Sequence, residues 1–267
     1  MSKEYFKTLF LGDIVGKVGR QAVKATVPIL RQKYDLNLVI ANGENSAGGL
    51  GIDISTANEI FASGVDLIST GNHIWKKKEI DSYLEQHRDR IIRPYNFPEG
   101  APGAGFLDWV SPQGKRVRLI NLIGRVFMPD LVDCPFQAFE RICASSVQVP
   151  DLTIVDFHAE ATSEKVAFGY ACDGRVGLVV GTHTHVQTAD EQLLPKGTAY
   201  ITDLGMCGPM HSVIGMDSST IVERFRTGRP TKFEVASGPA IVNGVVLTWD
   251  FSINRAVGIE RVFERLS

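Results

Sequence analysis

The sequence contains few cysteines, and no two of them are spaced as a binding pair. There are four cysteines and no Cys-x-x-Cys motif, which excludes a thiolate zinc framework and a disulfide scaffold. We therefore expect free, buried thiols at Cys134, Cys143, Cys172 and Cys207. No cross-link is needed, because a chain of 267 residues can bury roughly 75% of the surface of its unfolded state.

Long hydrophobic runs and a charge excess are absent as well. No apolar run is long enough to cross a bilayer, and the polar start of the chain predicts no signal peptide. The net charge is −2, which argues against a general nucleic-acid coat or an electrostatic membrane binder. We expect a cytoplasmic protein that has neither DNA nor a membrane as a partner.

Short apolar runs alternate with helical patterns along most of the chain, and this alternation predicts parallel strands with helices on both faces. The predicted strands are 8–11, 36–41, 65–69, 105–110, 116–122, 152–157, 176–180, 199–202, 232–236, 240–248 and 257–263. The predicted helices are 18–34, 54–63, 77–87, 135–146, 163–170 and 219–226. Pro28 should kink or end the first of these helices. The interpretation is one α/β domain over residues 1–267, with its site at the carboxyl edge of the strands.

Residues of the kinds that bind metal ions follow five of the predicted strands. The densest motif is Gly181-Thr182-His183-Thr184-His185, where two imidazoles follow an apolar run. Imidazole is the commonest metal ligand because its neutral form offers a lone pair near neutral pH. The candidate ligands at the strand ends are Asp13, Glu44, Asn45, Asn72, His158, His183 and His185. The repetition of this design predicts that the strand ends converge on one site.

The candidate ligands mix carboxylate, amide and imidazole groups and include no thiolate. Mixed nitrogen and oxygen ligands suit manganese, iron or zinc better than a soft metal. Seven candidates exceed the needs of one tetrahedral ion, whereas two ions about 3.5–4 Å apart that share a carboxylate would use them all. Such a pair can clamp a phosphate and can produce hydroxide from a bridging water near neutral pH.

Each motif has a structural alternative when it is considered alone. Asp13 could cap a helix or lie in a turn, and Glu44 with Asn45 could form a surface turn. His73 could be an ordinary loop histidine, and Asp156 could be a buried partner of neighbouring polar groups. The metal site is favoured because five such motifs recur at strand ends.

Three further features are expected to have no ligand role. The glycine-rich run 48–51 lacks the lysine and hydroxyl of a phosphate-binding P-loop, so it predicts a flexible loop near the site. His87 is expected at a solvated helix end, and His211 in a loop that contributes no ligand.

Longer blocks of the sequence carry a family resemblance. Residues 12–13, 71–73, 158 and 181–185 resemble, in order, the signature blocks of the calcineurin-like metallophosphoesterases. The blocks 12–16, 42–45, 156–165 and 181–190 are most similar to the YmdB-like bacterial phosphodiesterases, and the similarity runs essentially from end to end. The resemblance implies a four-layer sandwich in which two mixed β-sheets are flanked by helices.

The chain departs from the broader superfamily at two ligand positions. Val15 stands where a histidine is usual, and the resemblance implies that Asn45 substitutes for it as a ligand. Glu44 replaces the usual bridging aspartate. The additional methylene of glutamate gives a longer reach, so the strand end can lie slightly farther from the metals.

The resemblance also implies a role for each site residue. One metal would be held by Asp13, Glu44, Asn45 and His185, and the other by Glu44, Asn72, His158 and His183. Glu44 would bridge two divalent or mixed-valence ions, iron and manganese being the expected metals. His73 would be the catalytic general acid beside the leaving oxygen. The implied reaction is hydrolysis of 2′,3′-cyclic nucleotides and related phosphodiesters by a metal-bridging hydroxide.

Two competing functions stay open. A regulatory protein could bind a nucleotide or RNA through a slow metal site, and a different metallohydrolase could act on amides or deaminate its substrate. We expect a small nucleotide substrate, with RNA left open, and a homo-oligomer. No substrate-binding residue is identified from the sequence.

Overall fold

Two β-sheets and six α-helices form the described part of the chain, residues 5–145 and 148–267 of a computed structural model. The strands are β1 (Phe6–Leu11), β2 (Asp13–Ile14), β3 (Leu38–Asn42), β4 (Leu67–Ser69), β5 (Phe106–Val110), β6 (Arg116–Ile123), β7 (Leu152–His158), β8 (Leu178–Thr182), β9 (Gln192–Leu193), β10 (Ala199–Ile201), β11 (Met206–Pro209), β12 (Ala240–Asp250) and β13 (Arg255–Leu266). The helices are α1 (Gly16–Tyr34), α2 (Ile54–Ala62), α3 (Ile80–Gln86), α4 (Pro135–Ser145), α5 (Thr162–Cys172) and α6 (Ser218–Thr227). A 3₁₀ turn covers Ile74–Lys76. None of the helices in the described ranges is both long and apolar enough to span a membrane.

Both sheets are mixed. The first has the order β2-β11-β12-β1-β3-β4, with β13 also paired to β12, and the second has the order β5-β6-β7-β8-β10-β9. Strands β1, β3 and β4 run parallel, as do β6, β7, β8 and β10. Strand β12 is antiparallel to β1, and β5 is antiparallel to β6. The parallel strands therefore direct their carboxyl ends to one edge in each sheet.

Alternating side chains of the central strands place a core on each face of each sheet. In β1, Phe10 packs into the core between the two sheets, whereas Leu9 packs against the helical layer of the first sheet. In β7, Ile154 joins the core between the sheets, and Val155 joins a core with residues of α4 and α5. Burial of both faces explains the continuous apolar runs of these strands. The predicted four-layer sandwich of two mixed sheets flanked by helices is confirmed.

Helix α1 continues through Pro28, although we expected that residue to kink or end it. Proline has no amide hydrogen, so the carbonyl oxygen of Lys24 loses its donor within the helix. Lys24 and Pro28 are both exposed, so water can reach that carbonyl. Ala25 is also exposed, while Val23, Val27 and Leu30 are buried.

The carboxyl-terminal third differs most from the predicted pattern. The predicted strand 232–236 is wrong: this segment is mostly exposed, and Val235 makes only an isolated bridge to Met216. Strand β11 was missed because its Gly-Pro sequence is typical of a loop, yet it pairs with β2 and β12. Strands β2 and β9, of two residues each, are too short to produce a periodic signal. The predicted helix 135–146 ends at Ser145 in the structure, and residue 146 lies outside the described residues.

The four cysteines are free, as predicted. Cys172 and Cys207 are buried, and burial raises the pKa of the Cys207 thiol to about 12. Cys134 is half-buried and Cys143 is exposed, so the prediction of buried thiols holds for only two of the four.

Neighbouring residues on α1 offer a direct test of the core. Leu30 is 1% exposed and Ile29 is 64% exposed, so truncation creates a cavity only at Leu30. We expect Leu30→Ala to lower the free energy of unfolding by about 2–5 kcal/mol and Ile29→Ala to change it by less than about 0.5 kcal/mol. Urea denaturation followed by circular dichroism measures both. Equal losses from the two variants would contradict this orientation of α1.

Candidate metal centre

All seven candidate ligands lie together where the carboxyl ends of the parallel strands of the two sheets meet. Strand β1 leads to Asp13, β3 leads to Glu44 and Asn45, β4 leads to Asn72, β7 ends at His158, and β8 leads to His183 and His185. The contacts between these side chains form two groups that share Glu44.

The first group, called the histidine group, consists of Glu44, Asn72, His158 and His183. The Nε2 atom of His158 lies 3.0 Å from Asn72 Oδ1 and 3.1 Å from His183 Nδ1. It also lies 3.4 Å from Glu44 Oε1. Nitrogen ligands about 2.0–2.1 Å from a metal are roughly 3 Å apart at right angles, so this spacing suits one bound cation.

The second group, called the aspartate group, consists of Asp13, Glu44, Asn45 and His185. The side-chain nitrogen of Asn45 lies 3.0 Å from Glu44 Oε1 and 3.0 Å from His185 Nε2. His185 Nε2 is 3.9 Å from Asp13 Oδ1. The Oε1 atom of Glu44 therefore contacts members of both groups.

The Asn45 side-chain amide is oriented for hydrogen bonding rather than for ligation. Its Nδ2 faces Glu44 and His185, and its Oδ1 lies 2.8 Å from Nδ1 of His73. A metal ligand must present oxygen. A half-turn of this amide would direct Oδ1 to the aspartate group and Nδ2 to His73.

A chain of hydrogen bonds fixes the tautomer of His158. The Thr182 hydroxyl donates to Asp156 Oδ1 at 2.7 Å, and its oxygen accepts from Nδ1–H of His158 at 2.9 Å. The lone pair of His158 Nε2 is therefore directed into the histidine group. Burial raises the pKa of Asp156 to about 7, although hydrogen bonds from Ser69, Thr182 and Asn42 favour its ionised form.

A buried ion pair supports the segment that carries His183 and His185. Lys165 Nζ lies 2.6 Å from Asp203 Oδ2, and the two side chains are 2% and 1% exposed. The same Asp203 oxygen accepts from the Thr184 amide at 3.1 Å. The two histidines have positive φ angles of 102° and 65°, a conformation that costs about 1–3 kcal/mol per residue and persists only where neighbours enforce it.

Burial favours the neutral form of both imidazoles in the histidine group. It lowers the pKa of His158 well below its usual value and also lowers the pKa of His183. Glu160 Oε2 lies 3.1 Å from His183 Nε2, and His183 Nδ1 lies 3.1 Å from His158 Nε2. Neutral imidazoles with their lone pairs directed inwards are the form that binds metal.

The carboxylate of Asp13 also lacks a counter-charge. It is fully buried, and its Oδ1 has no hydrogen-bond partner among residues 5–145 and 148–267. Burial and the nearby negative charges of Glu44 and Asp203 raise its pKa well above the usual value. A cation between Asp13 and Glu44 would satisfy both carboxylates, so the donor set fits a metal.

Glycine at position 71 permits the close approach of the two groups. A Cβ atom there would lie 2.5 Å from His158 Nε2 and would also overlap the Glu44 carboxylate. No side chain fits at such a distance, so Gly71 is required by the packing of the ligands rather than by its backbone angles.

Some of the remaining predictions about the site region are confirmed, and others stay untested. The glycine-rich run 48–51 lies beside the site, since the Gly49 amide donates to the Asn45 carbonyl oxygen at 3.1 Å. His87 ends α3, where its ring stacks on Tyr83 and is half-buried rather than fully solvated. His211 is exposed in a loop, and its lack of a ligand role stays a prediction.

Comparison with known proteins places the chain in a family. The family model described as YmdB-like protein matches residues 9–262. A Bacillus subtilis (strain 168) protein named 2′,3′-cyclic-nucleotide 2′-phosphodiesterase is 48% identical over 256 residues, which cover 96% of each chain. The chain belongs to the YmdB-like family. The resemblance stated from the sequence motifs is thereby confirmed.

Solved structures of similar sequence agree with this membership of the YmdB-like family. A hypothetical protein from Thermus thermophilus matches with a TM-score of 0.92 and 41% identity, covering 98% of this chain and 100% of that chain. A structure described as a novel phosphatase from Mycoplasma pneumoniae matches with a TM-score of 0.93 and 36% identity, covering 99% of this chain and 95% of that chain.

Sequence reasoning missed the residues that orient the ligands of this YmdB-like chain. Asp156 was left open as a buried partner, and Thr182 and Lys165 were quoted only as parts of motifs. One signal was available for Asp156: it precedes His158 by two residues on β7, so both side chains point to the same face of the sheet. Nothing in the sequence indicates that Lys165 pairs with Asp203.

The Thr182 hydroxyl provides a test of the tautomer argument. Thr182→Val removes the hydroxyl but keeps the shape of the side chain, so His158 Nδ1 loses its acceptor and Nε2 is no longer held as a lone pair. We expect metal affinity to fall about 10–100-fold, as is typical for groups that orient ligands, whereas Thr182→Ser should bind nearly as tightly as wild type. Competition with a chromophoric chelator measures this without an activity assay. Wild-type affinity in the folded valine variant would contradict the orienting role.

Proposed function

We propose that the protein is a metal-dependent phosphodiesterase that hydrolyses 2′,3′-cyclic nucleotides and related phosphodiesters at a dinuclear centre. The observation that carries this proposal is the contact of one Glu44 oxygen with both ligand groups. A shared carboxylate is the feature that a two-metal site requires. The proposal is supported by the 48% identity to a 2′,3′-cyclic-nucleotide 2′-phosphodiesterase over 96% of the chain.

In this proposal the two groups hold two ions, with iron and manganese as the expected metals. The ligands are Asp13, Glu44, Asn45 and His185 for one ion, and Glu44, Asn72, His158 and His183 for the other. Glu44, His158 and His183 have ligand atoms within 4.8 Å of one another, and their mixed nitrogen and oxygen donors suit such metals. When bound, two metals supply an activated water and neutralise charge on the phosphate oxygens.

His73 is the proposed general acid. Its amide donates to Glu44 Oε2 at 3.0 Å, so the backbone of His73 is fixed beside the shared carboxylate. If the Asn45 amide turns to present its oxygen as a ligand, its nitrogen donates to His73 Nδ1, which leaves Nε2 as the ring nitrogen that carries hydrogen. A proton on that atom is available to the departing ribose oxygen.

The proposal extends to the whole chain: residues 1–267 are proposed to act as one metallophosphoesterase domain in the cytoplasm. RNA is retained as an alternative substrate to a mononucleotide, and a homo-oligomer is retained as the expected assembly. The competing function is a regulatory protein that binds nucleotide or RNA through a slow metal site.

A set of three variants tests the assigned roles. His73→Ala should keep the metal but lower kcat about 10²–10⁴-fold, because it removes the proton donor alone, and the loss should be least for substrates with good leaving groups. Glu44→Ala should lose both metal and activity. His87→Ala, a histidine at the end of α3, should change neither. Elemental analysis and steady-state kinetics measure these effects. Loss of metal in His73→Ala would contradict the division of roles.

A substrate panel separates the competing functions. With Mn²⁺ present, we expect turnover of 2′,3′-cyclic AMP and bis-p-nitrophenyl phosphate and no turnover of amide substrates. Binding of 2′,3′-cyclic AMP without hydrolysis would favour the regulatory function. Cleavage of amides in preference to phosphodiesters would instead identify a different class of metallohydrolase.

A further inference from the structure

An aromatic side chain in the loop after β6 is exposed in a strained conformation. Phe127 is 84% exposed, and its φ angle is 62°. A positive φ is an outlier for a bulky residue and costs about 1–3 kcal/mol unless the surroundings impose it. Burial does not compensate for this strain, so packing gives no reason for phenylalanine at this position.

Phe127 belongs to the rim loop, residues 124–134, which connects β6 to α4 and begins at the histidine group. Ile123, the last residue of β6, pairs with His158, and the Gly124 amide donates to the His158 carbonyl oxygen at 2.9 Å. Phe127 follows Gly124 by three residues, which span at most roughly 10 Å. The Cα atom of Phe127 therefore lies within roughly 10 Å of Gly124, which contacts the backbone of a candidate metal ligand.

Asp130, farther along the rim loop, lies within electrostatic range of His73. Burial raises the pKa of Asp130, and the charges of His73 and Glu44 also act on that carboxyl group. Asp130 follows Phe127 by three residues. Phe127 therefore lies midway in sequence between Gly124, which contacts the backbone of His158, and Asp130.

The turn that presents Phe127 is fixed by hydrogen bonds. The Glu164 carboxylate accepts from the amides of Arg125 at 3.0 Å and Val126 at 3.1 Å. Met128, the next residue along the chain, is only 9% exposed and anchors the loop. A ring displayed from a fixed turn loses little conformational entropy when a ligand stacks on it.

We infer that Phe127 is the platform on which the nucleobase of the substrate stacks. This inference rests on the proposed function, because it needs a phosphate held at the ligand groups and a base that extends from it towards the rim. Every base has a π-face, so a phenylalanine platform favours nucleotides over phosphodiesters without a base and discriminates little among the four bases.

The test compares two cyclic phosphates. The enzyme loaded with Mn²⁺ is assayed with 2′,3′-cyclic AMP and with ribose 2′,3′-cyclic phosphate, which lacks the base. Stacking on an aromatic residue corresponds to about 5- to 150-fold in affinity. Phe127→Ala should therefore lower kcat/KM for cyclic AMP by about that factor, mainly through KM, and should leave the base-free substrate within about twofold. Phe127→Trp should retain the preference for the base.

Phe225→Ala is the matched control, because Phe225 is 81% exposed on α6 and lies outside the rim loop. It should leave both substrates unaffected. Equal loss for both substrates in Phe127→Ala, or no loss for either, would overturn the platform. Hydrolysis of neither substrate by the wild type would contradict the proposed function itself. Hydrolysis of both substrates by the wild type, without a selective loss in Phe127→Ala, would contradict only the platform.

Discussion

The site depends on the polar side chains that gather around the buried imidazole of His158. His158 Nε2 lies within 3.4 Å of an amide oxygen, a carboxylate oxygen and a second imidazole nitrogen. The lone pair of His158 Nε2 points inwards because Thr182 occupies the other ring nitrogen. Burial of so many polar groups is costly in a low-dielectric interior, and a bound cation would offset that cost.

The two sheets hold this arrangement in place. Glu44 follows β3 of the first sheet and His158 ends β7 of the second, so residues far apart in sequence meet only because the sheets pack face to face. The buried pair of Lys165 and Asp203 then holds the Thr184 amide between two strained histidines. Stability supplied by the three hydrophobic cores offsets the local cost of strain and of buried charge.

The sequence indicates the ligands better than it indicates what orients them. Gly-Asp, Gly-Glu-Asn and His-Thr-His follow apolar runs, so the recurrence of such patterns indicates Asp13, Glu44 and His183 as candidate ligands. The hydrogen bond from His158 to Thr182 joins two residues on different strands that are 24 positions apart in the sequence. No local pattern encodes this bond. The orientation of the Asn45 amide likewise depends on neighbours from other segments.

Errors in the predicted fold also arise because contacts between distant segments leave no local sequence pattern. Strands such as β3 and β7 are buried on both faces and produce clear apolar runs. Segment 232–236 has alternating residues but no neighbouring strand to pair with among the described residues beyond one bridge. Strand β11 has a poor local pattern but finds two partners. Whether a segment pairs with another strand depends on the whole fold, and the sequence pattern of that segment alone does not predict it.

The most direct test of the dinuclear account is anomalous X-ray diffraction from crystals of the protein loaded with Mn²⁺. A dinuclear centre predicts two peaks about 3.5–4 Å apart, one on each side of the Glu44 carboxylate. His158 and His183 should lie beside one peak, and Asp13 and His185 beside the other. A single peak, or two peaks that do not share Glu44, would contradict it.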